Sequence, residues 1–317
     1  MTSVIGRPDG ATQAKRRDVL SAIGNTPLVE LQNGDEGRVR ILAKLEGSNP
    51  GGSVKDRIAR QMVLAAEASG ELTRERTILE ATSGNTGIGL AMVGAARGYK
   101  VRLAMPQCVS VERQRILEAF GADLVLTPAH EGTDGAIRRA HELLAEDPER
   151  HYMPDQFNNP ANVEAHRLTT GPEILEQTGG DFEVLVAGMG TTGTLMGVAA
   201  CLAERQPGVR IVGVEPPPGH HIQGLKNMCE AIVPGIYNAG VLDDKIAVND
   251  EEAFAAARRL SLQEGIFAGM SSGAALVGAL WVAEQMRSGT IVVIFPDRGD
   301  RYLSTLLFRS VCAECPP

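Results

Sequence analysis

Residues 183–197, EVLVAGMGTTGTLMG, carry the pattern that decides the fold. The run Glu183–Ala187 is mostly β-branched and aliphatic, which is typical of a strand buried on both faces. A turn of glycines and threonines follows directly, and the chain then continues in a pattern that favours a helix. A strand that enters a helix through a glycine-rich turn is the repeating unit of α/β folds.

The same unit recurs along the chain. The predicted strands are Val39–Glu46, Thr77–Ala81, Lys100–Met105, Ala122–Thr127, Glu183–Ala187, Val209–Glu215 and Thr290–Phe295. The predicted helices include Asp56–Ala68, Val111–Phe120, Glu251–Gln263 and Ala274–Met286. Asn249 followed by Glu252 is typical of a capped helix start. This alternation predicts parallel sheets with helices on both faces, and ligands bind at the carboxyl ends of such strands.

Length and charge limit the possible classes of function. At about 150 residues per domain, a chain of 317 residues is expected to form roughly two domains. A net charge of −8 argues against a nucleic-acid or anionic-membrane surface, because either needs a basic face. No apolar run approaches the roughly 20 residues of a membrane span, and residues 1–17 contain no apolar stretch typical of a signal peptide. We therefore expect a cytoplasmic protein that binds neither nucleic acid nor membrane.

The five cysteines follow no disulfide framework. Cys108, Cys201 and Cys229 stand alone in the sequence, and only Cys312 and Cys315 form a CxxC pair. One such pair, without further Cys or His residues nearby, is weak support for a zinc site. We expect no metal, and a reduced tail at that end of the chain.

Residues 48–57, SNPGGSVKDR, lead from a predicted strand into a helix. The two glycines allow a ligand to approach the backbone closely, and Lys55 falls in the first helical turn. The positive potential of a helix N-terminus lowers the pKa of a lysine and favours its neutral, nucleophilic amine. Since the chain has only six lysines, Lys55 is a candidate nucleophile, and a surface lysine is the alternative.

Residues 80–89, EATSGNTGIG, form a second turn between a strand and a helix. The side chains of Thr82, Ser83, Asn85 and Thr86 place hydroxyls and an amide around its glycines. Together with the free N–H groups of the helix start, they favour binding of a carboxylate or a phosphate. The alternative is a capped helix with small residues for close packing.

The turn after Glu183–Ala187 admits two interpretations. Gly188, Gly190 and Gly193 match G-x-G-x-x-G, and Glu215 lies close to where the acidic residue of an NAD site is expected. The threonines of the turn instead favour a terminal phosphate group, which hydroxyls, backbone N–H groups and the helix dipole neutralise together.

A fourth turn, EGIFAGMSSG over residues 264–273, opens the last predicted helix, and Ser271 or Ser272 is a candidate cap for it. A candidate lysine, an anion-binding turn, a phosphate loop and a serine turn are together the parts of a pyridoxal phosphate (PLP) site. The four turns therefore predict one shared cofactor site.

With these parts the chain resembles the cysteine synthase family, which has the tryptophan-synthase-β-like fold (PLP fold type II). The resemblance runs from IGNTPL at 23–28 to DRGDRYLS at 297–304. It is closest to the O-acetylserine sulfhydrylase B branch, as the motifs NPGGSVKDR, DQFNNPAN, GMGTTGT, EGIFAG and DRGDRYLST indicate. It implies an α/β fold of two domains, each with a mostly parallel twisted sheet flanked by helices. The smaller domain spans 49–160, with a substrate-binding part that moves, and the larger domain combines 1–48 with 161–317.

The resemblance also implies roles for individual residues. Lys55 is the catalytic residue and forms the Schiff base with PLP. The other cofactor-binding residues are Asn85 at the ring hydroxyl, Gly190, Thr191, Thr192, Gly193 and Thr194 around the phosphate, and Ser271 at the pyridine nitrogen. The substrate-binding residues are Thr82, Ser83, Thr86 and Gln156 at the carboxylate. Lys226 stands where phosphoserine-using relatives carry arginine, and it is either a contact for a phosphate leaving group or a solvated loop lysine.

The implied reaction is a PLP-dependent β-replacement that makes L-cysteine from O-acetyl-L-serine and sulfide or another sulfur donor. O-phospho-L-serine is a tolerated second substrate. The mechanism is ping-pong through an α-aminoacrylate with Lys55 as general base, and the family forms homodimers. The alternatives on the same fold are a cystathionine β-synthase and an S-sulfocysteine synthase. An NAD-binding protein is the alternative from a different class, and it leaves the other three turns unexplained.

Overall fold

The computed structural model describes residues 18–32, 38–82, 84–229 and 232–308. Three residues singled out in the sequence, Ser83, Cys312 and Cys315, lie outside these ranges. The described strands are β1 Leu28–Glu30, β2 Val39–Leu45, β3 Thr77–Ala81, β4 Val101–Pro106, β5 Asp123–Thr127, β6 His151–Tyr152, β7 Val184–Gly188, β8 Arg210–Glu215, β9 Asp244–Ala247 and β10 Gly289–Phe295. The described α-helices are α1 Lys55–Ser69, α2 Asn85–Arg97, α3 Val111–Ala119, α4 Gly132–Glu146, α5 Pro160–Ala165, α6 Gly171–Thr178, α7 Gly193–Arg205, α8 Asp250–Arg259 and α9 Met270–Gln285.

These strands form two sheets. The larger sheet has the order β1-β2-β10-β7-β8-β9, and the smaller sheet has the order β5-β4-β3-β6. Neighbouring strands run parallel except β1, which pairs antiparallel with β2. Strand β10 lies between β2 and β7, so that Ile291 is opposite both Ile41 and Val184. The last described strand is therefore central in the larger sheet.

The larger sheet is buried on both faces, as its apolar runs predict. Along β10, Ile291 and Val293 pack into one hydrophobic core, whereas Val292 and Ile294 pack into another. Because successive side chains of a strand point to opposite faces, these two cores lie on opposite sides of the sheet. Residues of α8 and α9 complete the first core, and residues of α6 and α7 complete the second.

The smaller sheet is covered in the same way. Ile78 and Leu103 pack into a core shared with α1 and α2, while Ala81 and Ala104 pack against α4 through Ile137. Helices on both sides of a parallel sheet leave its strand ends as the place where loops meet. The turn between β3 and α2 therefore opens at an edge where a ligand can bind.

The sequence predicted most of this architecture. The α/β class with helices on both faces is confirmed, and all seven predicted strands end within one residue of the expected positions. The capping box is also confirmed. The Asn249 side chain accepts from the Glu252 backbone N–H, and the Glu252 side chain accepts from the Asn249 backbone N–H. Strands β1, β6 and β9 were not predicted, because runs of two to four residues show no reliable pattern.

The start of α9 was predicted wrongly. The helix begins at Met270 rather than Ala274, and its N-cap is Gly269 in an extended conformation. Neither Ser271 nor Ser272 caps the helix, because both already lie inside its first turn. Among the described helices, none combines the length and the apolar character needed to span a membrane.

Candidate active site

A cavity of about 690 Å³ opens between the two sheets, where the carboxyl ends of β4, β7 and β10 meet. The segment after β10 joins two of its walls. The Val54 N–H donates to the Pro296 carbonyl at 2.8 Å, and Ser53 forms an antiparallel bridge with Asp297. Ala268 forms a similar bridge with the next residue of that segment. The lysine turn and the serine turn, far apart in sequence, are thereby held side by side.

The cavity brings together most of the predicted site residues. Those that line it are Lys55, Asn85, Thr86, Gln156, Gly190, Thr191, Thr194, Lys226 and Ser271. Thr82, Thr192 and Gly193 do not line it, although Thr192 and Gly193 are flanked in the chain by Thr191 and Thr194, which do. Convergence of four separate turns on one concave site is the arrangement expected of a ligand pocket.

Lys55 is the first residue of α1 and faces the cavity with a partly buried side chain. Loss of water around the amine lowers the pKa of Lys55 to about 8, while the negative charges of Asp297 and Glu46 act in the opposite direction. The lowered pKa was predicted, but from the helix N-terminus. Desolvation is the larger cause, and it supplies the neutral amine that a nucleophile or base requires.

The loop between β7 and α7 is shaped to receive an anion. Thr192 adopts a left-handed conformation with φ of 68°, which is strained for a threonine and common at ligand sites. A Cβ at Gly190 would collide with the Gly224 carbonyl, so only glycine allows this close approach. The Thr192 hydroxyl is buried without a partner among the described residues. The loop then opens α7, whose first N–H groups and dipole favour a phosphate.

The turn between β3 and α2 pairs with a residue from another part of the chain. The Thr86 hydroxyl donates to the Gln156 side-chain oxygen at 2.6 Å, and the Gln156 amide nitrogen donates to the Ala81 carbonyl at 3.0 Å. Thr82 has a different task, because its hydroxyl accepts from the N–H groups of Gly84 and Gly87. Thr82 thus shapes the turn, whereas Thr86 and Gln156 face the cavity.

Lys226 reaches the cavity with its charge already paired. Its Nζ lies 3.1 Å from an Asp134 carboxylate oxygen and donates to the Ile232 carbonyl at 3.2 Å. The ammonium also lies 5.6 Å from the centre of the Phe157 ring. Asp134 belongs to α4 beside the smaller sheet, whereas Lys226 follows β8 of the larger sheet. The ion pair therefore crosses the cavity mouth.

Sequence reasoning missed Arg113, Asp297 and Arg301. Arg113 lines the cavity from α3, and its guanidinium lies 4.5 Å from the centre of the Tyr302 ring. Nothing local in the sequence distinguishes this arginine from a surface residue. Asp297 and Arg301 lie directly behind Asn85 and contact its amide. The DRGDR motif was visible, but the sequence does not show which of its charges face inward.

The NAD-binding alternative does not fit the structure. Glu215, the residue expected to bind a ribose, is buried and accepts from the Met228 N–H at 3.0 Å. Its other oxygen pairs with Lys245 at 2.7 Å, and the residue does not line the cavity. The carboxylate that an NAD site needs is therefore already engaged elsewhere.

Comparison with known proteins identifies the family of this chain. Residues 19–297 match a protein family described as pyridoxal-phosphate dependent enzyme. A cysteine synthase from Aquifex aeolicus is 47% identical over 314 residues, covering 96% of each chain. Cysteine synthase B from Escherichia coli is 46% identical over 287 residues, covering 90% of this chain and 94% of its own.

Solved structures agree in fold. A cysteine synthase from Entamoeba histolytica superposes with a TM-score of 0.88 at 39% identity, covering 99% of this chain and 96% of its own. An O-acetylserine dependent cystathionine β-synthase from Helicobacter pylori has a TM-score of 0.87 at 38% identity, covering 92% of this chain and 98% of its own. With a family match over most of its length and close relatives along nearly all of it, this chain belongs to the cysteine synthase group of the pyridoxal-phosphate dependent enzymes.

Proposed function

We propose that this protein makes L-cysteine from O-acetyl-L-serine and a sulfur donor such as sulfide, by PLP-dependent β-replacement. The observation that carries the proposal is one cavity lined by three features. They are Lys55 with its lowered pKa, the loop at Gly190 that is suited to a phosphate, and the turn at Thr86 that is suited to a carboxylate. The relatives named cysteine synthase, at 46–47% identity, share this chain nearly end to end.

The residues present fit PLP. Gly190, Thr191 and Thr194 line the cavity at the start of α7 and suit its phosphate, and Lys55 offers the amine that binds its aldehyde. Asn85 and Ser271 both line the cavity and suit the ring hydroxyl and the pyridine nitrogen. When bound to an amine, PLP withdraws electrons from the α-carbon of an amino acid and eases loss of its α-proton and β-substituent.

The chain's own residues then bind the substrate and move protons. The Gln156 amide donates to the substrate carboxylate through its second N–H, and the Thr86 hydroxyl, which donates to Gln156 in the free protein, turns to donate to the carboxylate as well. Lys55 Nζ takes the α-proton as general base while acetate departs with the electrons of its bond to the β-carbon. After the sulfur nucleophile has bonded to the β-carbon, Nζ returns a proton to the α-carbon.

Water must be excluded during this sequence, and a moving unit supplies the means. We propose residues 49–160 as the smaller domain, which closes on a larger one formed by 1–48 and 161–317. The Lys226–Asp134 pair and the Ser110 hydroxyl, which donates to the Arg301 carbonyl at 2.8 Å, already join the two sides. We also propose a cytoplasmic homodimer, which light scattering and cell fractionation can test.

The ion pair at the cavity mouth supports O-acetylserine as the preferred substrate. Asp134 neutralises Lys226, so a phosphate leaving group would meet an acidic residue together with the lysine. The wild type is expected to show a higher kcat/KM for O-acetylserine than for O-phosphoserine. Asp134→Asn is expected to raise kcat/KM for O-phosphoserine about fivefold and to leave that for O-acetylserine nearly unchanged.

A matched control is Asp123→Asn, which removes an exposed acid that pairs with Arg102 on the same sheet. It is expected to change neither value. Equal gains for both substrates in Asp134→Asn, or a wild-type preference for O-phosphoserine, would contradict this assignment of specificity.

The function itself is tested by an absorption spectrum and a product assay. The purified protein should show a visible PLP band that changes on O-acetylserine and returns when sulfide is added, with release of L-cysteine. Lys55→Ala should lose both the band and the product. A protein that stays colourless with added PLP would refute the proposal.

The cystathionine β-synthase alternative has support from a solved structure with the same fold, which is named for that activity. Competition among sulfide, thiosulfate and homocysteine as second substrates, at equal concentrations, separates the three products. Faster formation of cystathionine or S-sulfocysteine than of cysteine would assign the alternative.

A further inference from the structure

The DRGDR motif at residues 297–301 contains two acid–arginine pairs that point in opposite directions. Arg298 and Asp300 face solvent, with side chains 58% and 44% exposed and a 3.1 Å contact between them. Asp297 and Arg301 are 3% and 4% exposed and both contact Asn85. The inward pair does not line the cavity, so it lies behind Asn85 and acts through it.

The Asn85 side chain is held at both ends of its amide. Its Nδ2 donates to Asp297 Oδ2 at 2.6 Å, and its Oδ1 accepts from Arg301 Nη1 at 2.8 Å. A carboxylate only accepts hydrogen bonds and a guanidinium only donates them. Turning the amide over would place oxygen against oxygen and N–H against N–H. The two charged neighbours therefore permit one orientation of the Asn85 amide.

Both neighbours are themselves fixed. The buried Tyr302 hydroxyl donates to Asp297 Oδ2 at 2.6 Å, and burial raises the pKa of Tyr302, which keeps it a donor. Arg113 Nη2 lies 3.7 Å from the same oxygen. Arg301 Nη2 donates to the Gly51 carbonyl, in the turn that precedes Lys55. The orientation of Asn85 is thus set by a buried network that spans both sheets.

An amide nitrogen has two N–H donors, and the structure pairs one of those of Asn85. We propose that Asp297 and Arg301 are positioning residues that fix the Asn85 amide so that its second N–H faces the ring oxygen of the cofactor. An N–H donor in that place stabilises the ionised form of the ring oxygen, whereas an amide carbonyl would disfavour it. The inference rests on the proposed position of Asn85 beside the PLP ring.

The sign of one spectral change separates positioning from a direct charge effect. The ionised ring oxygen gives the longer-wavelength absorption of bound PLP, and the neutral one absorbs at shorter wavelength. Removing the negative charge of Asp297 would by itself favour the ionised form. Loss of amide orientation acts the other way. For Asp297→Asn holoenzyme we expect the long-to-short absorption ratio to fall about tenfold and the dissociation constant of PLP to rise about tenfold.

Four further variants make the test specific to Asn85. In an Asn85→Ala background, Asp297→Asn should no longer lower the ratio, because the amide on which it acts is gone. Arg301→Met should lower the ratio and weaken PLP binding, and Arg301→Lys should restore most of both. Arg298→Gln, from the outward pair of the same motif, is the matched control and should leave spectrum and affinity unchanged.

The results can overturn the inference without overturning the function. A wild-type protein with a PLP band, together with an unchanged or higher ratio in Asp297→Asn, refutes positioning but leaves the enzyme assignment intact. An equal fall of the ratio with and without Asn85 refutes it as well. A wild-type protein without any PLP band refutes the proposed function itself. If Asp297→Asn does not fold, Arg301→Met is compared with and without Asn85→Ala. Because loss of the Arg301 charge by itself also lowers the ratio, only a fall that disappears in the Asn85→Ala background supports positioning, and an equal fall in both refutes it.

Discussion

The lowered pKa of Lys55 predicts how fast the protein captures its cofactor at each pH. Only the neutral amine attacks an aldehyde, so the rate of PLP capture by the apoprotein follows the neutral fraction of Lys55. Desolvation in the cavity wall lowers the pKa from 10.5 to about 8, with Asp297 and Glu46 opposing the shift. The experiment therefore varies the pH and compares the wild type with the Asp297→Asn variant.

The expected effect is large. At pH 7 an amine with a pKa of about 8 is neutral in roughly one molecule in ten, whereas one with a pKa of 10.5 is neutral in roughly one in three thousand. The structure thus predicts about a 300-fold faster capture at pH 7 than an ordinary lysine would allow. The rate should rise about tenfold between pH 7 and pH 9.5. It should be half-maximal at a pH of about 8 and reach a plateau above that pH.

Stopped-flow absorbance of the visible band, over pH 6.5–9.5, measures this rate. A small primary amine of ordinary pKa, run in the same buffers, corrects for titration of PLP and should keep rising across the whole range. Because the charge of Asp297 raises the pKa of Lys55, Asp297→Asn should move the midpoint below that of the wild type. A wild-type rate that climbs tenfold per pH unit to the end of the range would refute the claim that burial deprotonates this amine.

Other perturbations probe the loop, the buried charges and a buried acid. Gly190→Ala should lower the melting temperature of the apoprotein and lose PLP during gel filtration, because the new Cβ collides with the Gly224 carbonyl and displaces the loop; retention of PLP at an unchanged melting temperature would contradict the close approach. Arg57→Met should lower the free energy of unfolding by about 3–5 kcal/mol in urea titrations, since it leaves the fully buried Glu46 without its partner at 2.7 Å. Burial raises the pKa of Glu80 to about 8, so between pH 5 and pH 8 the native state keeps a proton that the unfolded chain has lost. The free energy of unfolding of the wild type should therefore fall by up to about 1.4 kcal/mol per pH unit over that range. Glu80→Gln should flatten that dependence, and an unchanged slope would disprove the assignment.

The sequence predicted those parts of the site whose chemistry is local. Lys55 and the loop of Gly190 each sit in a turn between a strand and a helix, and the order of residues in such a turn largely decides which backbone groups are free. The direction of a side chain is less local. Thr82 and Thr86 belong to the same turn, yet one hydroxyl faces the helix start and the other faces Gln156. The sequence does not distinguish them, because the difference depends on the torsion angles of the turn.

Tertiary contacts account for what the sequence did not predict. Arg113 acquires its place only when α3 packs beside Tyr302, and Lys226 meets Asp134 only when the two sheets come together. The prediction that Ser271 or Ser272 caps α9 was reasonable by residue type. It was wrong because the Gly269 backbone starts the helix without a side-chain hydrogen bond. Residue type alone is a weak guide wherever a backbone conformation can perform the same task.

The segment from Pro296 to Arg301 explains why residues from such distant parts of the chain form one site. Its first residues pair with Val54 and Ala268, which lie beside the lysine and serine turns, and its charged residues hold Asn85 at the start of α2. Strand β10, which leads into this segment, lies between β2 and β7 and pairs with both. The site therefore depends on insertion of a late strand between two early ones, a non-local step that is slow in parallel sheets. Because one segment contacts all three turns, its pairing in the sheet fixes the lysine turn, the serine turn and the start of α2 relative to one another.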